Sequence, residues 1–341
     1  MKASFNLRKV LKWIFLGATI LFLILFFLVF IGKPPQGKQI KWGVNFSQKH
    51  SELMGLDWKQ NYLALLDDLK VGRIKLITHW DKLEPEKGKY DFADLDWQME
   101  EAKKRGVQIL LVIGMKTPRW PECHFPNWAE NLSKEAQQER VIELIGNTVF
   151  RYKDYENLWA WQIENEPFFP FGKCKWYDKS FLEKEIQLTR ILDDKARPIV
   201  ISDSGEGSFW LEAARLGDIV GTTLYKKVWF EQIGIYVYYP YPEIFYWRKA
   251  ELIKTLFGKK VICVELQAEP WGPILLYDLP LSEQKKTMNL EQFKRIINFS
   301  RRTGFDEFYL WGGEWWYWLK ETQNKPEIWD YARELFGGLI K

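Results

Sequence analysis

Alternating strand-like and helix-like segments are the feature that most constrains how this chain can fold. Eight short apolar segments are strand candidates, at residues 41–47, 73–80, 107–114, 158–165, 198–203, 218–225, 261–267 and 306–311. Amphipathic segments with helical spacing separate or follow them, at residues 59–71, 94–105, 134–153, 180–195, 290–303 and 326–336. Strands that are each followed by a helix specify a parallel sheet, and eight such units close into a barrel. The pattern therefore predicts an α/β fold, a (β/α)8 TIM barrel over residues 41–341.

An apolar run without a charge, residues 13–32, precedes the predicted barrel. As a helix the run is long enough to span the roughly 30 Å of a hydrocarbon core, and no small-residue cleavage site follows it. We therefore expect residues 1–32 to be a basic cytoplasmic end and a transmembrane signal-anchor, and residues 33–40 to be a linker. The barrel would then lie outside the cytoplasm, in a single-pass membrane protein.

The net charge of +4 combines two unlike parts of the chain. Residues 1–41 contain seven lysines and arginines and no acid, so the rest of the chain holds 42 basic residues against 45 acidic ones. A nucleic-acid-binding surface needs basic residues clustered on the folded domain. The charge distribution therefore excludes a nucleic-acid partner, and the basic excess before the apolar run favours a cytoplasmic N-terminus.

Tryptophan is concentrated at one predicted face of the barrel. Of the 19 tryptophans, those at or after the ends of predicted strands are Trp80, Trp120, Trp128, Trp176, Trp210, Trp229, Trp271, Trp311, Trp315, Trp316 and Trp318. Strand ends and the loops after them carry the functional residues of a TIM barrel. A single Trp is more often a packing residue, but flat indole faces suit the C–H-bearing faces of sugar rings. The cluster therefore favours a glycan site.

Two acids at predicted strand ends form a candidate catalytic pair. Glu166 ends the fourth strand and Glu265 the seventh, so the two face each other across the barrel mouth. Cleavage of a glycosidic bond needs one carboxyl to protonate the leaving oxygen and another to attack or to activate water. Glu164 competes with Glu166 for the inward position on the same strand. Glu269 and Glu314 lie farther into loops, where they are expected to bind sugar hydroxyls at the rim or to be solvated.

Several motifs occur in a fixed order along the predicted strands. In residues 69–91 an arginine precedes a tryptophan and a P-x-x-G-x-Y-D turn, in the second strand and the loop after it. The others are Asn165-Glu166-Pro167 at the fourth strand, Tyr225 at the sixth, Glu265 at the seventh and Trp311 at the eighth. This order resembles clan A of the retaining glycoside hydrolases, and most closely the cellulase- and mannanase-type family 5.

The resemblance implies a retaining double displacement with Glu166 as the acid/base and Glu265 as the nucleophile, their carboxyls about 5–5.5 Å apart. Arg73 and the Tyr225 hydroxyl are expected to hold Glu265 ionised, because an opposite charge and hydrogen bonds favour a carboxylate. Glu166 is expected to begin protonated, because the negative charge of Glu265 lies across the cleft.

The other predicted site residues are substrate contacts. The resemblance implies that Asn165 bonds the sugar 2-hydroxyl and that Trp311 lies beneath the sugar ring. His79 and Trp80 lie at the end of the second predicted strand and Trp271 follows the seventh, and all three are expected to line the pocket. The alternative for His79 is a structural role, in which its side chain forms hydrogen bonds with a loop.

These features predict a monomeric, membrane-anchored O-glycosyl hydrolase of β-linked oligo- or polysaccharides that needs no cofactor and no metal. Three histidines leave little for a multi-histidine metal centre, and the short motifs of nucleotide-binding, zinc-protease and serine-hydrolase sites do not occur. Two alternatives stay open. One is a non-catalytic glycan-binding barrel that keeps the tryptophans, and the other is a cell-wall transglycosylase that uses the same residues.

The three cysteines divide into a candidate pair and a single thiol. Cys123 and Cys174 lie in neighbouring loops on the barrel rim, so a disulfide is sterically feasible in an oxidising compartment. Two unpaired thiols are the alternative. Cys263 lies two residues before Glu265 and is predicted to point into the barrel core as a free thiol.

Overall fold

The structure is a computed structural model that describes residues 7–35 and 39–340. Its strands are β1 (Lys41–Phe46), β2 (Arg73–Ile77), β3 (Gln108–Ile113), β4 (Leu158–Ile163), β5 (Ile199–Asp203), β6 (Ile219–Leu224), β7 (Lys227–Phe230), β8 (Ile235–Tyr238), β9 (Lys260–Gln267) and β10 (Glu307–Trp311). Eight of them close into a parallel barrel in the order β1-β10-β9-β6-β5-β4-β3-β2. Each barrel strand coincides with a predicted strand to within a few residues, so the predicted (β/α)8 barrel is confirmed.

Helices surround the barrel. They are α1 (Leu7–Phe30), α2 (Gln48–Leu53), α3 (Trp58–Asp67), α4 (Trp80–Leu83), α5 (Ala93–Lys104), α6 (Lys134–Tyr152), α7 (Lys179–Leu192), α8 (Leu211–Leu216), α9 (Glu243–Phe257), α10 (Leu281–Gln284), α11 (Leu290–Arg301), α12 (Gly313–Glu321) and α13 (Glu327–Phe336). Ser133, Asp178 and Asn289 cap α6, α7 and α11 by accepting a backbone N–H of the first turn. Such caps satisfy donors that a helix start leaves free.

Two apolar layers hold the barrel together. Side chains from five strands form a buried cluster inside it: Leu110, Ala160, Val200, Ile262, Val264 and Tyr309. A larger cluster fills the space between the barrel and the helices, and Ile109, Leu111 and Ile113 of β3 belong to it. Leu110 and its neighbours thus face opposite sides, as the two-residue period of a strand requires. Burial on both sides explains why the barrel strands are nearly continuous apolar runs.

The structure contradicts the predicted membrane anchor. The apolar run forms α1, but the C-terminal end of this helix packs against the barrel. The ring of Phe30 stacks 5.6 Å from that of Phe245 on α9, and Arg248 donates a hydrogen bond of 2.9 Å to the carbonyl of Ile31. Among the described residues, no helix combines the length and the apolarity that crossing a membrane requires. This finding contradicts the predicted single-pass membrane localisation, and residues 1–6 and 36–38 of the predicted anchor and linker lie outside the described part.

An antiparallel hairpin of β7 and β8 is an element that the sequence pattern did not predict. It lies between β6 and α9, and Trp229 packs edge-on against Tyr236 across it at 5.0 Å. Gly234 occupies the turn with a φ of 64°, a conformation that glycine adopts without steric cost. The alternation of aliphatic and aromatic residues after this glycine, over Ile235–Tyr238, is the signal that could have revealed the hairpin.

Candidate active site

Glu265 reaches the barrel mouth because β9 contains an irregularity. The register of β9 shifts against both of its neighbours between Cys263 and Leu266. Val264 packs inside the barrel, and the shift lets Glu265 face inward as well, which is a known effect of a β-bulge. Cys263 is a free thiol in the layer between barrel and helices. Its predicted position inside the barrel core is therefore wrong.

Both carboxylate oxygens of Glu265 accept hydrogen bonds. The ammonium of Lys75 lies 3.0 Å from Oε1, and the Tyr225 hydroxyl lies 3.0 Å from Oε2. Lys75 is fully buried and Glu265 nearly so. A buried cation and a hydroxyl donor together fix the position of this carboxyl group. The contact predicted for Tyr225 is present.

Arg73 does not contact Glu265, and this expectation is corrected. Arg73 is the first residue of β2, and its guanidinium pairs with Glu307, the first residue of β10, at 3.1 Å. Arg73 and Lys75 point to the same side of the strand, but Arg73 lies about 7 Å nearer the N-terminal end of the barrel. Lys75 therefore takes the place that the sequence assigned to Arg73.

Glu166 enters the mouth from a strained turn after β4. Its φ is 40°, its backbone N–H donates to Oγ of Ser202 at 2.8 Å, and its Oε1 accepts from the Thr223 hydroxyl at 3.2 Å. Burial and then the negative charge of Glu265 raise the pKa of Glu166 well above its ordinary value. Glu166 therefore keeps its proton to a higher pH than an ordinary glutamic acid does, which is what a proton donor needs.

Glu164 points away from the mouth. Its carboxylate accepts backbone N–H groups of Met115 and Lys116 at the end of β3 and contacts Glu185 on α7. Gly114 makes room for it, because a Cβ there would collide with the Glu164 carboxyl. Burial raises the pKa of Glu164. The structure thus places Glu166, and not Glu164, beside Glu265.

Asn165 lies beside two charged residues that the sequence analysis missed. Its Nδ2 donates to Oε2 of Glu122 at 3.0 Å, and the ammonium of Lys116 lies 3.9 Å from the same oxygen. Lys116 also donates to the backbone carbonyls of Glu166 and Phe169 at 2.9 Å each. The sequence feature that could have revealed Glu122 is its position next to Cys123, in a loop at the predicted mouth of the barrel.

A disulfide joins the loops that carry these residues. Cys123 and Cys174 are bonded, with a Cα–Cα distance of 5.2 Å, which lies in the range that a disulfide can span. The backbone N–H of Lys173 donates to the carbonyl of Pro121 at 2.9 Å. The loop after β3 is therefore fixed to the loop after β4, as the predicted bridge implies.

Much of the predicted tryptophan face is packing, because five of its eleven tryptophans are buried: Trp80, Trp210, Trp311, Trp315 and Trp316. Trp80 is fully buried, and its indole N–H donates to Glu84 at 2.9 Å, so its predicted role in substrate binding is wrong. The Arg119 guanidinium covers the Trp311 ring at 3.9 Å. Trp271 is half-buried and packs edge-on against Tyr225 at 5.3 Å. Of these three predicted tryptophans, Trp271 is the one that adjoins the candidate site with an uncovered surface.

Glu269 and Glu314 are buried and paired, not solvated. Arg119 bonds to Glu269 and, at 2.9 Å, to Glu314. Glu314 also accepts the backbone N–H of Ser47 at 2.6 Å. Burial raises the pKa of Glu269 even though Arg119 opposes the shift. These acids support the wall of the mouth.

The His79 side chain forms hydrogen bonds with residues of two neighbouring loops. Its two ring nitrogens lie 3.0 Å from the Ser47 hydroxyl and 3.2 Å from the Thr117 hydroxyl. Burial, followed by the neighbouring His124, lowers the pKa of His79 well below its ordinary value. Burial, followed by Lys49, lowers the pKa of His124 to about 3. Within the described residues, no group of three or more His, Cys, Asp or Glu is arranged to hold a metal ion.

Comparisons relate this chain to glycoside hydrolases. Residues 57–183 match the family model of glycoside hydrolase family 42, described as β-galactosidase. The β-galactosidase LacZ of Lactobacillus acidophilus is 28% identical over 109 residues, which are 26% of this chain and 16% of that protein. A family 10 endo-β-1,4-xylanase of Gloeophyllum trabeum superposes with a TM-score of 0.55 at 16% identity, over 80% of this chain and 84% of that one. The exo-β-1,4-mannosidase Op5Man5 of Opitutaceae bacterium strain TAV5 superposes with a TM-score of 0.58 at 14% identity, over 92% of this chain and 61% of that one.

These similarities establish the fold. The chain spans 16% and 18% of the length of the curated β-galactosidases that it matches, and the solved structures share its TIM barrel at low sequence identity. Structures of glycoside hydrolase families 2, 5 and 10 all match. The fold is therefore that of TIM-barrel glycoside hydrolases, and the predicted assignment to family 5 is not confirmed.

Proposed function

We propose that this chain is a retaining β-glycoside hydrolase with Glu166 as acid/base and Glu265 as nucleophile. One observation carries the proposal. Glu166, which accepts from the Thr223 hydroxyl, and Glu265, which is bonded to Lys75 and Tyr225, enter the same barrel mouth. Burial and then the charge of Glu265 raise the pKa of Glu166. Two carboxyls in opposite protonation states are what glycosidic cleavage requires.

In the first step, Glu166 gives its proton to the glycosidic oxygen while Glu265 attacks the anomeric carbon. The bond from that carbon to the leaving group breaks, and an ester between sugar and Glu265 forms. Lys75 and Tyr225 hold the attacking carboxylate in place, which lowers the entropic cost of reaching the attack geometry.

In the second step, Glu166 is a carboxylate and takes a proton from water. The resulting oxygen nucleophile attacks the anomeric carbon, the ester breaks, and Glu265 leaves as a carboxylate. Two inversions at one carbon retain its configuration. Asn165, next to Glu166, lies where its amide could bond a sugar hydroxyl.

For the substrate we propose a β-linked glycoside, with β-galactosides to be tested first. The family model and the curated relatives are described as β-galactosidases, which supports this order. A xylanase and an exo-mannosidase share the fold, so the panel also includes β-xylosides, β-mannosides and β-glucosides.

The decisive experiment uses aryl β-glycosides with the full chain and two variants in the presence of azide. Glu166→Ala leaves an open position beside the glycosyl-enzyme, so azide should restore turnover and yield a β-glycosyl azide. Glu265→Gly removes the nucleophile, so azide should attack directly and yield the α-glycosyl azide. Glu164→Gln is the matched control and should give neither product.

Other outcomes separate the alternatives. Binding of oligosaccharides without turnover by the wild-type chain would contradict the proposal and favour a glycan-binding barrel. Products longer than the substrate would show that a sugar, and not water, intercepts the glycosyl-enzyme, as in a transglycosylase. Azide products of the same configuration from both variants would contradict the assigned roles.

A further inference from the structure

A third carboxyl, Glu122, lies in the same mouth and has no part in the two chemical steps. It is 5% exposed. Its Oε2 accepts the Asn165 amide at 3.0 Å and lies 3.9 Å from the Lys116 ammonium. Among the described residues, nothing donates a hydrogen bond to its Oε1. Burying a carboxyl is costly unless the group is paired or used.

The loop that carries Glu122 is held rigidly. The backbone N–H of Glu122 donates to the carbonyl of Arg119 at 2.7 Å, and its carbonyl accepts from Thr117 at 2.9 Å. The adjoining Cys123 is bonded to Cys174. A Cβ at Gly172, whose φ is 94°, would lie 2.6 Å from the Cβ of Glu122, so glycine is required for this close approach. Such support fixes a side chain in one geometry.

We propose that Glu122 is a positioning residue that orients the Asn165 amide and acts through its charge on the neighbouring Glu166. The proposal rests on the proposed function of the site. A carboxyl oxygen that accepts from Nδ2 at 3.0 Å favours one orientation of the amide, and the longer bonds of 3.4 Å that Gln162 and Ser202 donate to Oδ1 agree with it. The remaining Nδ2 hydrogen of Asn165 is then free for a substrate hydroxyl.

The charge of Glu122 acts on Glu166. Burial raises the pKa of Glu122 to about 8, while Lys116 lowers it, and the charge of Glu122 contributes to the raised pKa of Glu166. Lys116 places the two residues side by side, because its ammonium lies 3.9 Å from Oε2 of Glu122 and donates to the Glu166 carbonyl at 2.9 Å. When Glu122 ionises, its negative charge opposes loss of the proton from Glu166. The ionisable and polar groups that face Glu122 are Lys75 on β2, Lys116 after β3, Asn165 and Glu166 after β4, Tyr177 before α7 and Glu265 on β9.

Two variants separate the effect of Glu122 on the Asn165 amide from the effect of its charge on Glu166. Glu122→Gln keeps an acceptor for Asn165 but removes the charge, so the alkaline limb of kcat/KM should move down by about one pH unit with little change at the optimum. Glu122→Ala removes both, so kcat/KM at the optimum should also fall about tenfold. Glu130→Gln makes the same chemical change at an exposed position of the same loop and should behave like wild type.

A second measurement does not depend on turnover. In the wild-type chain labelled with ¹⁵N, the side-chain amide of Asn165, assigned by its loss in Asn165→Ser, should titrate near the pKa of Glu122. In Glu122→Gln that titration should disappear. An alkaline limb and an Asn165 titration that are both unchanged in Glu122→Gln would overturn the inference.

The two proposals fail in different ways. If azide rescues Glu166→Ala and Glu265→Gly but Glu122→Gln matches wild type in both measurements, the inference fails alone. If the wild-type chain cleaves no glycoside, the proposed function fails, and the Asn165 titration still decides whether Glu122 orients the amide.

Discussion

The Lys75 ammonium lies 3.0 Å from Oε1 of Glu265, inside a barrel where neither side chain meets much solvent. Breaking a buried ion pair by removing one partner leaves an uncompensated charge, which costs more than an exposed pair is worth. The position of the buried Glu265 carboxylate therefore depends on Lys75.

Lys75→Met should lower kcat/KM about a hundredfold, because the buried Glu265 carboxyl loses the cation bonded to it at 3.0 Å. Steady-state kinetics on an aryl β-glycoside measure the effect. Arg73→Met removes a cation from the same strand at the opposite end of the barrel and should lower thermal stability while leaving kcat/KM near wild type. Equal losses of activity in both variants would contradict the placement of Arg73 away from the site.

Tyr225→Phe should lower kcat about ten- to a hundredfold, because Oε2 of Glu265 loses its hydroxyl donor at 3.0 Å. Folding should be little affected, since the ring and its contact with Trp271 stay in place. Tyr238→Phe, an exposed tyrosine on the hairpin, is the control. A wild-type kcat in Tyr225→Phe would show that this hydroxyl has no part in the reaction.

The pH dependence of kcat/KM should show an alkaline limb that Glu166 causes. Because burial and the charge of Glu265 raise the pKa of Glu166, the acid keeps its proton to a higher pH than an ordinary glutamic acid does and loses it, with activity, as pH rises further. In Glu166→Ala, tested on a dinitrophenyl glycoside that needs no protonation, the limb should vanish. Its persistence in that variant would assign the limb to another group.

The buried His124 should make the fold sensitive to acid. Its pKa of about 3 lies below the value of about 6.5 in an unfolded chain, so the unfolded state binds more protons between these values. Stability is therefore complete above about pH 6.5 and falls with decreasing pH, by about 2–3 kcal/mol from this group alone on reaching pH 4.5. Urea unfolding at a series of pH values measures the slope. His124→Gln should show a shallower slope than wild type, and an unchanged slope would contradict the prediction.

The Cys123–Cys174 bond should stabilise the fold by restricting the unfolded chain. For a sequence separation of 51, loop-closure entropy predicts a loss of about 4 kcal/mol when both cysteines are replaced by serine. Denaturant unfolding of Cys123→Ser/Cys174→Ser against the oxidised wild type gives the difference. Reductant should destabilise the wild type and leave the double variant unchanged, and equal responses would show that the bond is absent.

Local patterns in the sequence predict much of the fold. Eight apolar segments alternate with amphipathic ones, and burial on both sides of a parallel sheet produces such segments whatever their partners are. The same reasoning places Glu166 and Glu265 at strand ends, hence at one mouth. The same reasoning assigns too many tryptophans to substrate binding. A tryptophan such as Trp80 follows the same sequence pattern whether it faces a sugar or, as in this structure, the core.

Only the tertiary structure decides which side chains enter the mouth. Strict alternation along β4 would turn Glu164 inward, but the left-handed turn at Glu166 and the backbone donors after β3 direct the two acids apart. On β9 a register shift turns Glu265 inward and leaves Cys263 outside. Bulges, positive φ values and ion-pair partners such as Lys75 depend on residues that are distant in the chain. The two-residue period is a local property of the backbone, whereas its interruptions are stabilised by long-range contacts that no single segment encodes.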